Sequence, residues 1–334
     1  MQAQLFTSTA PTLEANLRHT RDAPSPKNAN SLKSDQLIVR VTAAALNPVD
    51  YKLASLPLIG RLIIGRPAAP GLDYAGWVAS EQPPSPFKQG DKVFGRITPP
   101  RKDGTLAEYI VVSHDEVVPQ PSELSAEDAA CIGTAGLTAY QSIAPYVKKG
   151  DRVFINGGSG GTGCFGIQIA KCLGCHVTTT CSTANVELCR DLGADEVIDY
   201  RSTNVTTTLI GSGRSYQHVV DNVGADPNLW RTLGKWSGDS AIYVQVGAEI
   251  SFVTLGDIVR KMLQPSWLGG TNRKFSMASV TSNAEHLSQI GQWVAEGKIK
   301  VIKDTVLPFK NASEGFTRLR TGRTRGKIVI RGPE

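Results

Sequence analysis

The sequence predicts an α/β protein with two folding units. At 334 residues the chain exceeds the size at which one hydrophobic core usually keeps growing. Its first third contains short β-branched runs separated by Gly, Pro and Asp, which is typical of a barrel-like β domain. Beyond residue 122, apolar strands alternate with helical stretches, as in a doubly wound parallel sheet. We therefore expect a β-rich domain over residues 1–122, a parallel-sheet domain over 123–265, and a return to the first domain over 266–334.

The strands predicted for the first domain are short β-branched runs bounded by turn-forming residues. They are Gln36 to Ala44, Gly76 to Glu81, Lys92 to Ile97 and Tyr109 to Val112. Near the end of the chain, Ala284 to Glu296 predicts a helix and Lys327 to Arg331 a closing strand. We expect this last segment to complete the first domain.

Between these parts, Ser125 followed by Asp128 resembles a capping box that opens a helix. Apolar strands and helical stretches then alternate in the order of βαβ units. The predicted strands are Arg152 to Asn156, His176 to Cys181, Glu196 to Ile198, His218 to Asp221 and Ala241 to Val246. Such units build a parallel, doubly wound sheet.

The composition is that of an ordinary globular protein, with 40% hydrophobic and 20% charged residues. The net charge of +6 comes from scattered Lys and Arg residues, so we expect no nucleic-acid partner. No apolar run approaches the roughly 18 residues of a membrane span, which predicts no membrane partner. The first 36 residues carry acidic side chains and lack the apolar core of a signal peptide, which predicts a cytoplasmic location.

The six cysteines all lie between Cys131 and Cys189, at spacings typical neither of a disulfide framework nor of a paired zinc knuckle. Cys172 and Cys175 form a CxxC, but no second pair completes a tetrahedral site. We expect packed, free thiols in a reducing compartment.

A glycine-rich loop follows the predicted strand Arg152 to Asn156 and precedes a helical run from Cys164 to Leu173. Glycines let the backbone approach a pyrophosphate, whose charge is held by amide groups and by the dipole at the helix start. Strand, loop and helix in this order indicate a Rossmann dinucleotide-binding unit. The predicted cofactor contacts in it are Gly157, Gly160, Gly161, Thr162 and Gly163.

The end of the second strand of such a unit selects the cofactor, because NAD enzymes place a ribose-binding carboxylate there. Here the sequence is Cys-Ser-Thr at 181–183, with hydroxyls and no acid. A 2′-phosphate would meet donors and no repelling charge, so we predict NADPH. The predicted phosphate contacts are Ser182, Asn185 and Tyr200 with Arg201. Strand-end turn residues are the alternative interpretation of the last three.

Seven further motifs follow one another along the chain. They are Leu46–Lys52, Pro70–Gly76, Gly90–Gly95, Gly104–Tyr109, Leu137–Tyr140, Leu192–Asp195 and Gly326–Val329. With the glycine loop, they resemble the zinc-free branch of the medium-chain dehydrogenase/reductase superfamily, the quinone oxidoreductase and enoyl reductase group. The form of the first motif resembles fungal trans-acting enoyl reductases. The resemblance covers nearly the whole chain and implies a GroES-like β-barrel catalytic domain made from both chain ends, with a Rossmann domain between them.

Zinc-dependent members of that superfamily hold their catalytic metal with a Cys, a His and a second Cys. By the resemblance, these positions fall on Asn47, Leu72 and Thr134. Leucine has no donor atom, and a neutral amide with a hydroxyl cannot replace thiolates as ligands of zinc. We therefore predict no metal site, and no alcohol oxidation that relies on zinc as a Lewis acid.

Without a metal, the simplest hydride chemistry is delivery to a carbon that is already electrophilic, such as the β-carbon of an enone or enoyl thioester, or to a quinone. The protein must then donate hydrogen bonds to the oxygen where enolate charge develops, and supply a proton. The catalytic candidates are Asn47, Tyr51 and Lys52. A structural interpretation stays open, because Asn47 as N-cap, Pro48 at N1 and Asp50 at N3 also make a good helix start.

Three further residues are predicted to contact the cofactor. Thr138 is a nicotinamide contact by the resemblance, or else a helix hydroxyl bonded to its own turn. Asn222 and Val246 lie at the carboxyl ends of predicted strands, where α/β sheets bind ligands. Plain strand ends are the alternative interpretation of both.

The leading prediction is an NADPH-dependent reductase of a small conjugated carbonyl or quinone, acting as a monomer or homodimer. The alternative is an NADPH-binding protein with a non-redox role, as a partner-bound sensor or as a cyclase that keeps the cofactor as structure. Steady NADPH oxidation with an acceptor would favour the enzyme, and binding without turnover would favour the alternative.

Overall fold

The computed structural model describes residues 1–56, 58–81, 83–247, 252–263 and 271–333. The chain divides into two units. The first unit contains residues 1–137 and those from 281 onward, and the second contains residues 138–280. The divisions predicted after residues 122 and 265 fall earlier in the chain, and they stay predictions of the domain boundaries.

The strands of the described residues are numbered β1 to β15 in chain order. They are Ala3–Phe6, Leu17–Thr20, Gln36–Leu46, Asp73–Glu81, Lys92–Arg96, Tyr109–Ser113, Val117–Pro119, Arg152–Asn156, His176–Cys181, Glu196–Asp199, Tyr216–Asp221, Ser237–Gln245, Lys274–Met277, Lys303–Leu307 and Lys327–Arg331. The α-helices of the same residues are numbered α1 to α11. They are Pro48–Lys52, Ile59–Ile64, Ala126–Ala130, Gly133–Ile143, Gly161–Cys172, Val186–Asp191, Val205–Gly211, Pro227–Arg231, Phe252–Leu263, Ala284–Ala295 and Ala312–Arg320.

Parallel strands form the sheet of the second unit, in the order β10, β9, β8, β11, β12, β13. The order runs outward in both directions from the β8 and β11 pair, as in a doubly wound Rossmann sheet. Val153, Phe154 and Ile155 of β8 are fully buried, as expected for a strand packed on both faces. The predicted α/β fold with a parallel sheet is confirmed, and the carboxyl ends of β8 and β11 mark its ligand-binding edge.

The sheet of the first unit is mainly antiparallel, in the order β14, β15, β3, β4, β5, β7, with β6 also paired to β3. Strand β15, near the end of the chain, pairs with β3, so Val329 lies opposite Ala45. The two ends of the chain therefore build one sheet. This is the arrangement expected from the last segment of the sequence.

Each unit has its own hydrophobic core. In the first unit, Leu37, Val39, Tyr74, Phe316 and their neighbours from both ends of the chain form one buried cluster. In the second, the rings of Phe154, Tyr216 and Trp236 meet edge to face at centroid distances of 5.5–6.0 Å, which adds geometric specificity to the apolar burial.

Two strands of the first unit are longer than predicted by two or more residues. Strand β3 continues to Leu46 and β4 begins at Asp73, although the sequence predicted Ala44 and Gly76 for these two ends. Alanines have low strand propensity, and a buried Asp interrupts an apolar pattern. Pairing of β3 with β15 and β4 on its two sides overrides these local preferences.

The cysteines are free thiols, buried except for Cys172, which is partly exposed. Within the part of the chain that the structure describes, no helix is both long and apolar enough to cross a membrane.

Candidate functional site

The glycine loop leaves the carboxyl end of β8 and enters α5. Gly157 has φ of +81°, a left-handed conformation that favours glycine. The Gly157 amide donates to Thr180 Oγ1 at 2.9 Å, and the Gly158 amide donates to the Thr180 carbonyl at 2.8 Å. Both bonds tie the loop to the neighbouring strand β9.

The turn into α5 is too tight for a side chain at Gly163. A Cβ there would lie 2.1 Å from the Gly157 carbonyl oxygen. The Cys164 amide donates to the Gly160 carbonyl, so the amides of 161–163 precede the first bond of the helix. Such amides and the helix dipole together bind anions, and the loop therefore fits a pyrophosphate.

The residues predicted at the 2′-phosphate meet the glycine loop through Asn185. Its Nδ2 donates to Ser159 Oγ and to Ser182 Oγ, each at 3.2 Å. Asn185 Oδ1 is buried and has no hydrogen-bond partner among the described residues. A ribose hydroxyl could donate to this unsatisfied acceptor. Tyr200 is half-exposed, and the Arg201 guanidinium lies 5.6 Å from its ring centre. The structure thus brings Ser182 and Asn185 together with the loop.

An acid that the sequence reasoning missed lies at the end of the third strand of this unit. Asp199 accepts the Thr183 hydroxyl at 2.6 Å and the Arg201 amide at 2.9 Å. These hydrogen bonds lower the pKa of Asp199, and the bond from Thr183 has the larger effect. Its two oxygens are thus committed to neighbouring protein donors.

Asn222 and Val246 follow the carboxyl ends of β11 and β12. Asn222 Nδ2 donates to the Asn156 carbonyl at 3.1 Å, and the Val246 amide donates to the Asp221 carbonyl at 2.8 Å. Asn222 therefore adjoins the carboxyl ends of β8 and β11, and Val246 adjoins that of β11. Thr138 lies on a different element, α4, where its side chain is buried.

The catalytic candidates lie at the start and end of α1 in the first unit. Asn47 is the N-cap, and its backbone amide donates to Asp50 Oδ2 at 2.7 Å. Tyr51 packs against the core, with the Arg320 guanidinium 4.1 Å from its ring centre. Lys52, the last residue of α1, is half-buried. The helix start predicted from Asn47 and Asp50 is present.

A buried polar cluster surrounds Asn47, and the sequence reasoning did not foresee it. The Asp73 carboxylate, fully buried, accepts Asn47 Nδ2 at 2.8 Å and Lys327 Nζ at 3.3 Å on Oδ2. On Oδ1 it accepts the Thr134 amide at 2.7 Å and the Thr134 hydroxyl at 2.6 Å. Lys327 Nζ also donates to Asn47 Oδ1. We call Asn47, Asp73, Thr134 and Lys327 the Asp73 cluster.

Asp50 lies beside this cluster and is itself buried. Burial raises the pKa of Asp50 to about 7, and the negative charge of Asp73 adds to the rise. Asp50 Oδ1 has no hydrogen-bond partner among the residues described. The carboxyl is therefore held on one oxygen only, by the helix start.

The three positions that the resemblance assigns to zinc ligands hold side chains with other partners. Asn47 and Thr134 both donate hydrogen bonds to the Asp73 carboxylate, and Leu72 is a buried apolar side chain. These residues do not fit a zinc ion, which needs thiolate, imidazole or carboxylate donors facing one point. Among the described residues, no group of three or more His, Cys, Asp or Glu side chains could hold a metal.

The sequence and the fold match known families. The model described as alcohol dehydrogenase GroES-like domain matches residues 33–122, and the one described as zinc-binding dehydrogenase matches residues 192–330. The trans-enoyl reductase pgmF of Aspergillus terreus is 45% identical over 344 aligned residues, which cover 99% of this chain and 96% of that protein.

Two further comparisons agree. The chloroplastic quinone-oxidoreductase homolog of Spinacia oleracea is 30% identical, over 94% of this chain and 93% of that protein. The solved structure of the quinone oxidoreductase from Coxiella burnetii superposes with a TM-score of 0.84 at 28% identity, covering 100% of this chain and 99% of that one. The resemblance inferred from the motifs is confirmed. The chain belongs to the medium-chain dehydrogenase/reductase superfamily, a family of oxidoreductases that bind a nicotinamide cofactor.

Proposed function

We propose that this chain is an NADPH-dependent, zinc-free reductase that transfers hydride to the C=C of a conjugated enone or enoyl thioester, or to a quinone. The observation that carries the proposal is the Asp73 cluster. Of the three positions that the resemblance assigns to zinc ligands, Asn47 and Thr134 hydrogen-bond to Asp73, and the third is the buried Leu72. Without a Lewis acid, hydride is transferred most easily to a substrate that is already electrophilic.

Relatives of this chain support the same reaction class. The names of the Aspergillus, Spinacia and Coxiella proteins are those of an enoyl reductase and of quinone oxidoreductases. A non-redox role as a sensor or cyclase is therefore not favoured.

The residues of this chain divide the work. When bound, NADPH supplies the hydride. The amides of the glycine loop and the start of α5 hold its pyrophosphate. Ser182 would donate to the 2′-phosphate, and Asn185, which donates to Ser182 at 3.2 Å, would offer its Oδ1 to a ribose hydroxyl. Lys52, or Tyr51, provides the proton that completes reduction of the substrate.

Asn47 has a different part in this proposal from the oxyanion donor that the sequence suggested. Its Nδ2 donates to the Ala45 carbonyl at 3.3 Å and to Asp73 at 2.8 Å, so both amide hydrogens have acceptors inside the protein. We propose that Asn47 fixes the start of α1. Lys52 then remains as the leading proton donor.

A panel of acceptors tests the proposed function. The purified chain is mixed with NADPH and, in turn, with small enones, enoyl thioesters and quinones, and loss of the NADPH absorbance is followed. We expect steady turnover with at least one of these classes. Tight NADPH binding without turnover across the whole panel would contradict the reductase.

Ser182 supplies a prediction about the cofactor. Ser182→Asp should reverse the preference from NADPH to NADH, changing the ratio of the two Kd values by at least about tenfold, because the new carboxylate repels the 2′-phosphate and accepts the ribose hydroxyl. The measurement is fluorescence titration with each cofactor. Ser240→Asp, on an exposed part of β12, is the matched control for an added charge. Equal binding of NADH and NADPH by the parent chain would overturn the assignment.

Zinc content is a second prediction of the proposal. The purified protein should contain no stoichiometric zinc and should keep its full reductase activity in a chelator, because Asn47, Leu72 and Thr134 offer no zinc ligands. Elemental analysis and an EDTA incubation check this. One zinc per chain, with activity lost on its removal, would be the contrary result.

The compartment and the assembly state stay predictions, namely cytoplasm and monomer or homodimer. Relatives include proteins described as mitochondrial in Homo sapiens and chloroplastic in Spinacia oleracea. Fractionation of the native cells and light scattering of the purified chain check the two statements.

A further inference from the structure

We infer that Asp221 is a positioning residue for the cofactor, holding the glycine loop and two neighbouring strand ends in register through a buried chain of hydrogen bonds that includes Asn156 and Thr180. The inference rests on the proposed binding of NADPH at this loop. It assigns a role to side chains that do not reach the ligand themselves.

The chain of bonds begins at the loop and runs beneath it. The Gly157 amide donates to Thr180 Oγ1 at 2.9 Å, and Thr180 Oγ1 donates to Asn156 Oδ1 at 2.6 Å. Asn156 Nδ2 then donates to Asp221 Oδ1 at 2.8 Å. The Gly157 amide only donates, the Asp221 carboxylate only accepts, and Thr180 and Asn156 between them do both, so the direction of every hydrogen bond in the chain is fixed.

Asp221 holds a second segment with the same carboxylate. Its Oδ1 also accepts the amides of Val223 at 3.0 Å and Gly224 at 2.9 Å. Its Oδ2 accepts the Tyr243 hydroxyl at 2.5 Å. Burial raises the pKa of Tyr243 well above its usual value, which keeps this phenol a donor. One carboxylate thus joins the loop after β8 to the loop after β11.

The backbone of Asp221 holds the third segment. Its carbonyl accepts the amides of Val246 at 2.8 Å and Gly247 at 3.1 Å. The two loops then touch backbone to backbone: a Cβ on Gly224 would lie 2.1 Å from the Gly247 carbonyl, and one on Gly247 would lie 2.0 Å from the Asn222 carbonyl. Asn222 and Val246, two predicted cofactor contacts, are therefore fixed relative to Gly157 by Asp221.

Because these side chains are buried, the arrangement is sensitive to the loss of any one hydrogen bond. Thr180 and Asp221 are each 1% exposed, and Tyr243 is fully buried. A broken link leaves a buried donor or acceptor unsatisfied, which costs more than the bond itself contributes. The loop amides are consequently arranged before the cofactor arrives, and binding does not have to order them.

Thr180→Val is the sharpest test, because valine has the shape of threonine and lacks the hydroxyl. We expect the Kd for NADPH to rise about tenfold, since the Gly157 amide loses its acceptor and Asn156 loses its donor. Because the side chain does not touch the substrate, kcat at saturating NADPH should stay within about twofold of the parent value. Thr180→Ser keeps the hydroxyl and should restore the parent Kd.

Thr178→Val is the matched control. Thr178 lies on the same strand, is fully buried and accepts the Tyr216 hydroxyl at 3.1 Å, outside the Asp221 chain. It should leave the Kd for NADPH unchanged while lowering the melting temperature about as much as Thr180→Val does. Asp221→Asn is a second probe of the same chain and should raise the Kd at least as much as Thr180→Val.

The outcomes separate this inference from the proposed function. If the parent chain does not bind NADPH, the proposed function fails. If the parent binds NADPH and Thr180→Val binds it equally well, the positioning role is wrong and the proposed function stands. Equal weakening by Thr180→Val and Thr178→Val, or no rescue by Thr180→Ser, would show a general loss of stability and would also overturn the positioning role.

Discussion

Replacing Lys52 by alanine is expected to lower kcat by on the order of 10²-fold with the best acceptor, while the Kd for NADPH stays within about twofold of the parent value. The expected loss follows from the chemistry, because reduction of a conjugated carbonyl leaves enolate charge that an ammonium stabilises and a carbon that must receive a proton. Steady-state kinetics at saturating NADPH, with a separate binding titration, measures both quantities.

Two further variants interpret the Lys52 result. Lys52→Arg keeps the positive charge but cannot release a proton at neutral pH, so an inactive arginine variant indicates proton transfer and an active one indicates charge stabilisation. Lys88→Ala removes an exposed lysine of the same unit and should leave kcat unchanged.

Stability separates a catalytic loss from a structural one. The free energy of unfolding of Lys52→Ala should lie within about 0.5 kcal/mol of the parent value, because the helix start at Asn47, Pro48 and Asp50 is retained. A Lys52→Ala variant that keeps half or more of the parent kcat would remove Lys52 from the mechanism and transfer the proton to Tyr51 or to water.

The parallel sheet was the part of the fold most open to prediction. Strands β8 and β9 begin and end where the sequence indicated, since each is an apolar or β-branched run closed by a glycine loop or a polar turn. The first unit was harder, because its strand ends depend on partners far away in the chain. Asp73 begins β4 although an acidic residue disfavours strand interiors, and its contacts with Thr134 and Lys327 account for it.

The candidate site shows the same division. The glycine loop carries its function in local order, so Gly157 to Gly163 could be predicted from strand, loop and helix alone. The Asp73 cluster could not, because Asp73 and Lys327 are 254 residues apart in the chain. The sequence carried only part of the signal: both are charged residues within otherwise apolar strand motifs, which indicates that each is buried with a partner but does not identify that partner. Thr180 and Asn156 gave no such signal, since Thr and Asn are ordinary at strand ends.

Asp73→Asn should lower the free energy of unfolding by about 3–5 kcal/mol, the usual cost of breaking a buried ion pair by neutralising one partner. The Lys327 ammonium is 3% exposed and would lose the carboxylate that compensates its charge. The new amide nitrogen would also face a donor, either at Thr134 or at Asn47 and Lys327. Urea titration measures the loss, and an unchanged m-value shows that the same surface is exposed on unfolding.

Two other variants complete this experiment. Glu127→Gln breaks an ion pair with Arg331 that is largely exposed on the arginine side, and its expected loss is below about 1 kcal/mol. Combining Asp73→Asn with Lys327→Met removes both charges of this ion pair and should recover part of the loss, because no uncompensated ammonium remains. If the free energy of unfolding of Asp73→Asn were within about 1 kcal/mol of the parent value, as for the surface control, the buried ion pair would not contribute substantially to the stability of the first unit. Full additivity of Asp73→Asn and Lys327→Met would contradict a direct interaction between the two side chains.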